Sequence, residues 1–121
     1  MTTRKAHKAR GAGYEVDIRD YFRLRGYDAE RLARAGSKDE GDVVVRMAIL
    51  GRHLLLECKA PGASGRIDLS GWAKEAKVEA ENFRNARSLG PESVLPAVII
   101  KARGKSIADS YLVFRLGDIF E

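Results

Sequence analysis

Apolar and polar residues follow two rhythms along this chain, and the changes of rhythm mark its elements. From about residue 12 to residue 25, Tyr14, Ile18, Tyr21 and Phe22 recur at offsets of four, seven and eight, the period of a helix with one buried face, and Gly26 stands where a helix commonly ends. The segment "YDAERLARAG", before the breaker cluster "GSKDEG", predicts a short, partly exposed strand or an extended link. "DVVVRMAIL" and "RHLLLECK" are β-rich runs separated at Gly51 and Arg52, a spacing that predicts an antiparallel hairpin. The glycines and proline of "APGASGR" predict a loop. Over residues 69 to 89, Trp72, Ala76, Ala80, Phe83 and Ala86 fall at helical spacing, and the small alanines let that helix lie close against a sheet. After "GPES", the runs "VLPAVIIKA" and "SYLVFRL" predict two strands around the turn "RGKS", followed by "GDIFE". The order α-β-β-β-α-β-β predicts an α/β domain with a central mixed sheet flanked by helices.

A chain of 121 residues with 45% hydrophobic content suits one domain with a single modest core. We assign that domain to residues 12–121, behind a flexible basic arm at residues 1–11. The net charge is +5 and the sequence pI near 9.6, which favours a polyanionic partner such as nucleic acid. The arm concentrates this charge in Arg4, Lys5, Lys8 and Arg10 without an acidic residue, and both a solvated terminus and a DNA-contacting arm fit it. No apolar run follows the arm as a secretory signal requires, and none approaches the length that crosses a bilayer, so an intracellular, cytoplasmic protein with no membrane partner is expected. Cys58 is the single cysteine, which excludes an internal disulfide and a thiolate metal cluster, and the two histidines, His7 and His53, lie far apart in sequence.

The candidate chemistry lies in "HLLLECKAPG", where three leucines run into a Glu, a Cys and a Lys. Side chains alternate along a strand, so Leu54, Leu56 and Cys58 share one face while Leu55, Glu57 and Lys59 share the other. Glu57 and Lys59 then project together at the strand end, either as a plain surface ion pair or as groups acting on one bound species. In an antiparallel hairpin, Asp42 at the start of the preceding strand comes beside Glu57. Two converging carboxylates repel unless a cation sits between them, and magnesium suits such a site because it takes one or two carboxylates and leaves room for waters and phosphate oxygens. Lys59 could then orient or deprotonate an attacking water, or offset charge on a pentavalent phosphate. Glu15 lies on the flank of the buried stripe of helix one and adds a third carboxylate if that helix packs near the strand ends.

A helix with an acidic residue, then "GD", then "ECK" at the end of the next strand resembles the PD-(D/E)-x-K nuclease superfamily. The longer piece "GAGYEVDIRDYFRLRGYDAERLARAGSKDEGDVVV" resembles the archaeal-type Holliday junction resolvases and their phage relatives over residues 10 to 60. The resemblance implies a restriction-endonuclease-like fold and a structure-specific endodeoxyribonuclease that cuts four-way junctions as a homodimer. It implies that Glu15, Asp42, Glu57 and the backbone carbonyl of Cys58 bind Mg2+, with Mn2+ able to substitute, and that Lys59 is the catalytic lysine. Ser37 matches a serine near the scissile phosphate. Gly41 stands where the motif's name has proline. For DNA contacts we name Lys5, Lys8 and Arg10 on the arm and Arg34 and Lys38 flanking the site. The apolar "YLVFRL" and "DIF" offer surface that a dimer can bury. Two alternatives share these residues: a related nuclease acting on flap, single-stranded or duplex DNA, and a noncatalytic nucleic-acid-binding domain in which Asp42, Glu57 and Lys59 form a structural network. A cysteine-based enzyme is disfavoured, because Cys58 faces the core and has no histidine close in sequence.

Overall fold

The computed structural model describes residues 4–33, 39–63 and 65–120, with side chains from residue 12 onward. Helix α1 (Arg4–Leu24) leads into strand β1 (Asp28–Arg31), the hairpin of β2 (Val43–Ile49) and β3 (Arg52–Lys59), helix α2 (Leu69–Ala86) and strand β4 (Val94–Ile100). A 3-10 turn (Ile107–Asp109), a short β5 (Tyr111–Val113) and a one-turn α3 (Leu116–Ile119) follow. The five strands lie in sequence order in one sheet. β3 and β4 pair in parallel through the α2 crossover, and every other pair is antiparallel, so the sheet is mixed as expected.

Local chemistry explains where the elements stop. Gly26 takes a left-handed φ of 86°, and the amides of Gly26 and Tyr27 donate back to the carbonyls of Arg23 and Phe22, closing α1 with the turn that glycine permits. The β2–β3 hairpin turns on Leu50 and Gly51, at φ 53° and 70°, the pair of positive values that matches the twist of the flanking strands. The turn thus sits one residue earlier than the break expected at Gly51 and Arg52. Pairing runs Ile49↔Arg52 beside the turn but Val45↔Leu54 farther along, so a bulge in β2 takes up two more residues than the facing stretch of β3. Met47 sits in that bulge at φ 51°, and its amide donates to His53 Nδ1 at 3.2 Å.

The alternation read from sequence sorts the core into two layers. Val43, Val45, Leu54, Leu56, Ala97 and Ile99 pack on one face with Tyr14 and Ile18 of α1. Val44, Leu55 and Val94 pack on the other with Ala80 and Phe83 of α2, beside Ala76, Val98 and Ile100. Three consecutive leucines are buried because both faces of β3 are covered, each contributing about 1.5–3 kcal/mol of transfer free energy.

Three expectations need correction. α1 begins at Arg4 rather than near residue 12, so the backbone of residues 4–11 in the proposed arm continues the helix. α2 ends at Ala86 rather than residue 89. The run "SYLVFRL" yields only three strand residues before α3 takes over. Among the described residues no helix is long and apolar enough to cross a membrane.

Candidate active site

The C-terminal end of β3 collects side chains from four elements. The chain enters β2 through Gly41, whose φ of 99° no proline can adopt and where a Cβ would meet Leu55 Cγ at 3.2 Å. This accounts for glycine at the position before Asp42. The Asp42 amide donates to the Leu56 carbonyl at 3.1 Å, and the Cys58 amide donates to Asp42 Oδ2 at 2.8 Å. With Val43 paired to Leu56, Asp42 stands beside Glu57 as the hairpin predicted. The Asp42 carboxylate is thereby fixed by the backbone of the strand that carries the motif.

Glu57 and Lys59 point together toward α2. Lys59 Nζ lies 3.4 Å from Glu57 Oε1 and 3.3 Å from Glu75 Oε2, and 5.6 Å above the Trp72 ring. Burial would discharge this ammonium, but the carboxyls of Glu57 and Glu75 outweigh it and raise its pKa. Glu57 is buried, and desolvation together with a hydrogen bond to Glu79 pushes its carboxyl up to about 11. Burial also lifts Glu79 to about 7. Asp42 is raised by burial too, although the Cys58 amide and Glu57 pull it back. These carboxyls cannot all ionise in one dry corner, so protons or cations must be shared among them.

Glu15 reaches the same strand end from the opposite face of the sheet. It is half-buried, with Arg31 Nη2 3.8 Å from its Oε1, and burial followed by the Asp42 charge raises it to about 7. α1 therefore does pack near the strand ends, the condition on which its role depended. Cys58 alternates toward the α1 core, and burial pushes its thiol pKa well up, which deprives it of the thiolate a cysteine enzyme needs. Ser37, Arg34 and Lys38 lie outside the described residues, as do the side chains of Lys5, Lys8 and Arg10.

Glu75 and Glu79 were missed in the sequence, yet one signal was present. Glu79 falls three residues after Ala76 and four before Phe83, inside the buried stripe of α2, where a carboxyl requires a reason. Asp39 also raises the pKa of Glu15, Asp42 and Glu79, while its backbone carbonyl accepts from Asn82 at 2.8 Å.

The residues suit a hard divalent cation. Their donors are oxygens, and Glu57, Glu75 and Glu79 each offer one carboxylate oxygen, all within 4.8 Å of one another. The Oε2 atoms of Glu57 and Glu79 are buried and meet no N–H or hydroxyl donor, so the hydrogen bond between the two carboxyls needs a shared proton.

A five-stranded mixed sheet between helices, with acidic residues and a lysine at one end, is the restriction-endonuclease-like fold. The chain shares it with the solved structure of Hjc, a Holliday junction resolvase from the archaeal hyperthermophile Archaeoglobus fulgidus. The TM-score is 0.54 and the identity 17%, over 86% of this chain and 76% of that one. The resemblance read from the motifs is thus met at the level of the fold. Neither a protein-family model nor a curated protein sequence matches the chain.

Proposed function

We propose that this chain is a metal-dependent, structure-specific endodeoxyribonuclease that resolves four-way DNA junctions by paired phosphodiester hydrolysis. The observation that carries this reading is the placement of Asp42 beside Glu57 at the end of β3, with Lys59 on the Glu57 face and Glu15 arriving from α1. A noncatalytic binding module gains nothing from clustering carboxyls where a phosphate must approach.

Glu15, Asp42, Glu57 and the Cys58 carbonyl would hold Mg2+, or Mn2+ in its place, which supplies positive charge to the scissile phosphate and makes nearby water more acidic. The chain's own groups do the rest. The Cys58 amide holds Asp42 in one orientation, so its carboxylate needs no reordering when substrate arrives. Lys59, steadied by Glu57, Glu75 and the Trp72 face, offers an ammonium to the charge that builds on phosphate oxygens. Ser37 acts near the scissile phosphate.

Lys5, Lys8, Arg10, Arg34 and Lys38 contact the DNA backbone, giving shape recognition with a strong dependence on salt. Beyond β3, a cleft of about 270 Å³ is lined by Ala60, Gly62, Lys101 and Arg103. The Lys101 amide donates to the Lys59 carbonyl at 2.9 Å, so the segment carrying these cations adjoins the site, where they would add to its attraction for phosphates. Tyr111, Leu112, Leu116 and Phe120 are exposed around the short edge strand β5, an apolar surface suited to a homodimer.

A cleavage assay with labelled four-way junction, flap, single-stranded and duplex DNA, in magnesium, manganese or EDTA, tests the proposal. Paired symmetric nicks in the junction, dependent on metal and lost in Asp42→Asn, are expected. Cutting of every branched or single-stranded substrate would leave a nuclease with another target, and binding without cutting would favour the noncatalytic module.

A further inference from the structure

The polar side of α2 reaches further than Lys59. Glu75, Glu79 and Asn82 are spaced by four and three residues, a stripe running beside the apolar one of Ala76, Ala80 and Phe83. Glu75 Oε2 sits 3.3 Å from Lys59 Nζ, and two turns on, about 10 Å along the helix, Asn82 Nδ2 donates to the Asp39 carbonyl at 2.8 Å. At the C-cap, Arg87 Nη1 donates to Glu40 Oε2 at 2.7 Å and to the Phe83 carbonyl at 3.1 Å, with its guanidinium 3.7 Å from the centre of the Phe83 ring. Helix capping accounts for the Phe83 contact but not for the pairing with Glu40, whose side chain is drawn in until it is 17% exposed.

Both contacts land on the turn directly before Asp42. Inside that turn the Gly41 amide donates to Asp39 Oδ1 at 3.0 Å, and among the described residues every hydrogen bond from residues 39–41 to another element goes to α2. Sheet pairing takes hold only at Asp42, whose amide meets the Leu56 carbonyl and whose own carbonyl accepts from Leu32. Gly41 has a left-handed φ and no side chain to pack, so the approach to Asp42 has little stiffness of its own. We propose that Asn82 and Arg87 are positioning residues: by suspending this turn from α2 they aim the Asp42 carboxylate at the Cys58 amide and the end of β3. α2 is then a strut that meets Lys59 at one point and the approach to Asp42 at another, so helix geometry rather than the loop sets their separation. Outer contacts that orient a ligand commonly govern metal affinity and rate by about 10–100-fold. The inference deepens the proposed function and rests on it for what Asp42 does, not for how it is held.

Amide hydrogen exchange by NMR on the metal-free full chain, paired with Mn2+ titration and cleavage of a four-way junction, tests the inference. The Cys58 amide reports on the Asp42 carboxylate that accepts from it. Asn82→Leu, which keeps bulk but no donor, and Arg87→Ala are each expected to speed exchange at Cys58 by about tenfold, while the Leu54 and Leu55 amides keep their rates. Mn2+ affinity and the cleavage rate at saturating DNA should fall by at least about tenfold, with KM for the junction unchanged. Arg87→Lys keeps the charge without the planar fork and should recover part of the loss. Arg87 lies at the end of α2, so Arg87→Ala keeps the test decisive if Asn82→Leu does not fold. Exchange at Cys58 as slow as in wild type in both variants, or faster exchange with Mn2+ affinity unchanged, would overturn the inference. If wild type cut no DNA yet the variants showed faster Cys58 exchange and weaker Mn2+ binding, the nuclease reading would fail while this inference stood. If wild type cut junctions and both variants matched it in exchange, affinity and rate, the reverse would hold.

Discussion

Leu54 to Leu56 and Glu57 to Lys59 are successive stretches of one strand, both paired to β4 and lying between the same two helices, while pairing with β2 ends at Leu56. Burial acts on them in opposite senses. In the first stretch it removes three apolar side chains from water and stabilises the fold. In the second it strips solvent from Glu57, which raises its pKa to about 11 and leaves it sharing a proton with the Glu79 carboxyl. One scaffold therefore gives rigidity from its apolar half to a charged half that would not hold together alone. Strain of this kind at the end of a well-packed strand is typical of a site that awaits a ligand.

Substitutions in the two stretches should separate these roles. The largest effect is expected from Asp42→Asn and Lys59→Ala, each lowering single-turnover cleavage by about 1,000-fold, roughly 4 kcal/mol in the barrier, with little change in the thermal midpoint. Unfolding of Asp42→Asn would erase the distinction between stretches and point to a structural network. Next comes Leu56→Ala in the apolar half. It should cost about 2–5 kcal/mol in urea denaturation, by the same amount with and without metal.

Glu57→Gln should act the other way. Without metal it removes a buried ionisable group and raises stability by on the order of 1 kcal/mol, while metal no longer stabilises the variant as it does wild type. A lower melting temperature for Glu57→Gln in EDTA would contradict the account of this stretch. The smallest effect is the pH dependence. Unfolded glutamates lose their protons near 4.5, but folded Glu15 and Glu79 keep theirs to about 7 and Glu57 to about 11. The folded state binds more protons across that window, so their contribution is fully present below about 4.5 and declines as pH rises. Metal-free protein should melt at a higher temperature at pH 5 than at pH 8, and saturating Mn2+ should flatten or reverse the difference.

Much of the site could be read from residue order because it depends on strand parity. The alternation that sends Leu54 and Leu56 to one face sends Glu57 and Lys59 to the other, and hairpin pairing brings Asp42 alongside. Glu75 and Glu79 are hard to read in the sequence because small and aromatic residues define the buried stripe of α2, and a charged residue within a helix more often faces solvent. The shortness of β5 escaped because "YLVFRL" has strand composition throughout, whereas pairing with β4 ends at Val113. The bulge in β2 had no mark at all, since neither glycine nor proline interrupts "VVVRMAI".

That bulge works as a vernier on the chemistry at the far end of the hairpin. Counted back from Ile49↔Arg52 without interruption, Asp42 would face Lys59; the extra residues of β2 slide it two places, opposite Glu57. Drawing those extra residues into regular pairing would preserve which side chains face the core and yet exchange a pair of acids for an acid and a base. A slip of one residue in the pairing would turn the whole strand over. The spacing between turn and motif is therefore a setting that the chain must keep, and His53, by holding the Met47 amide, is the catch that locks it.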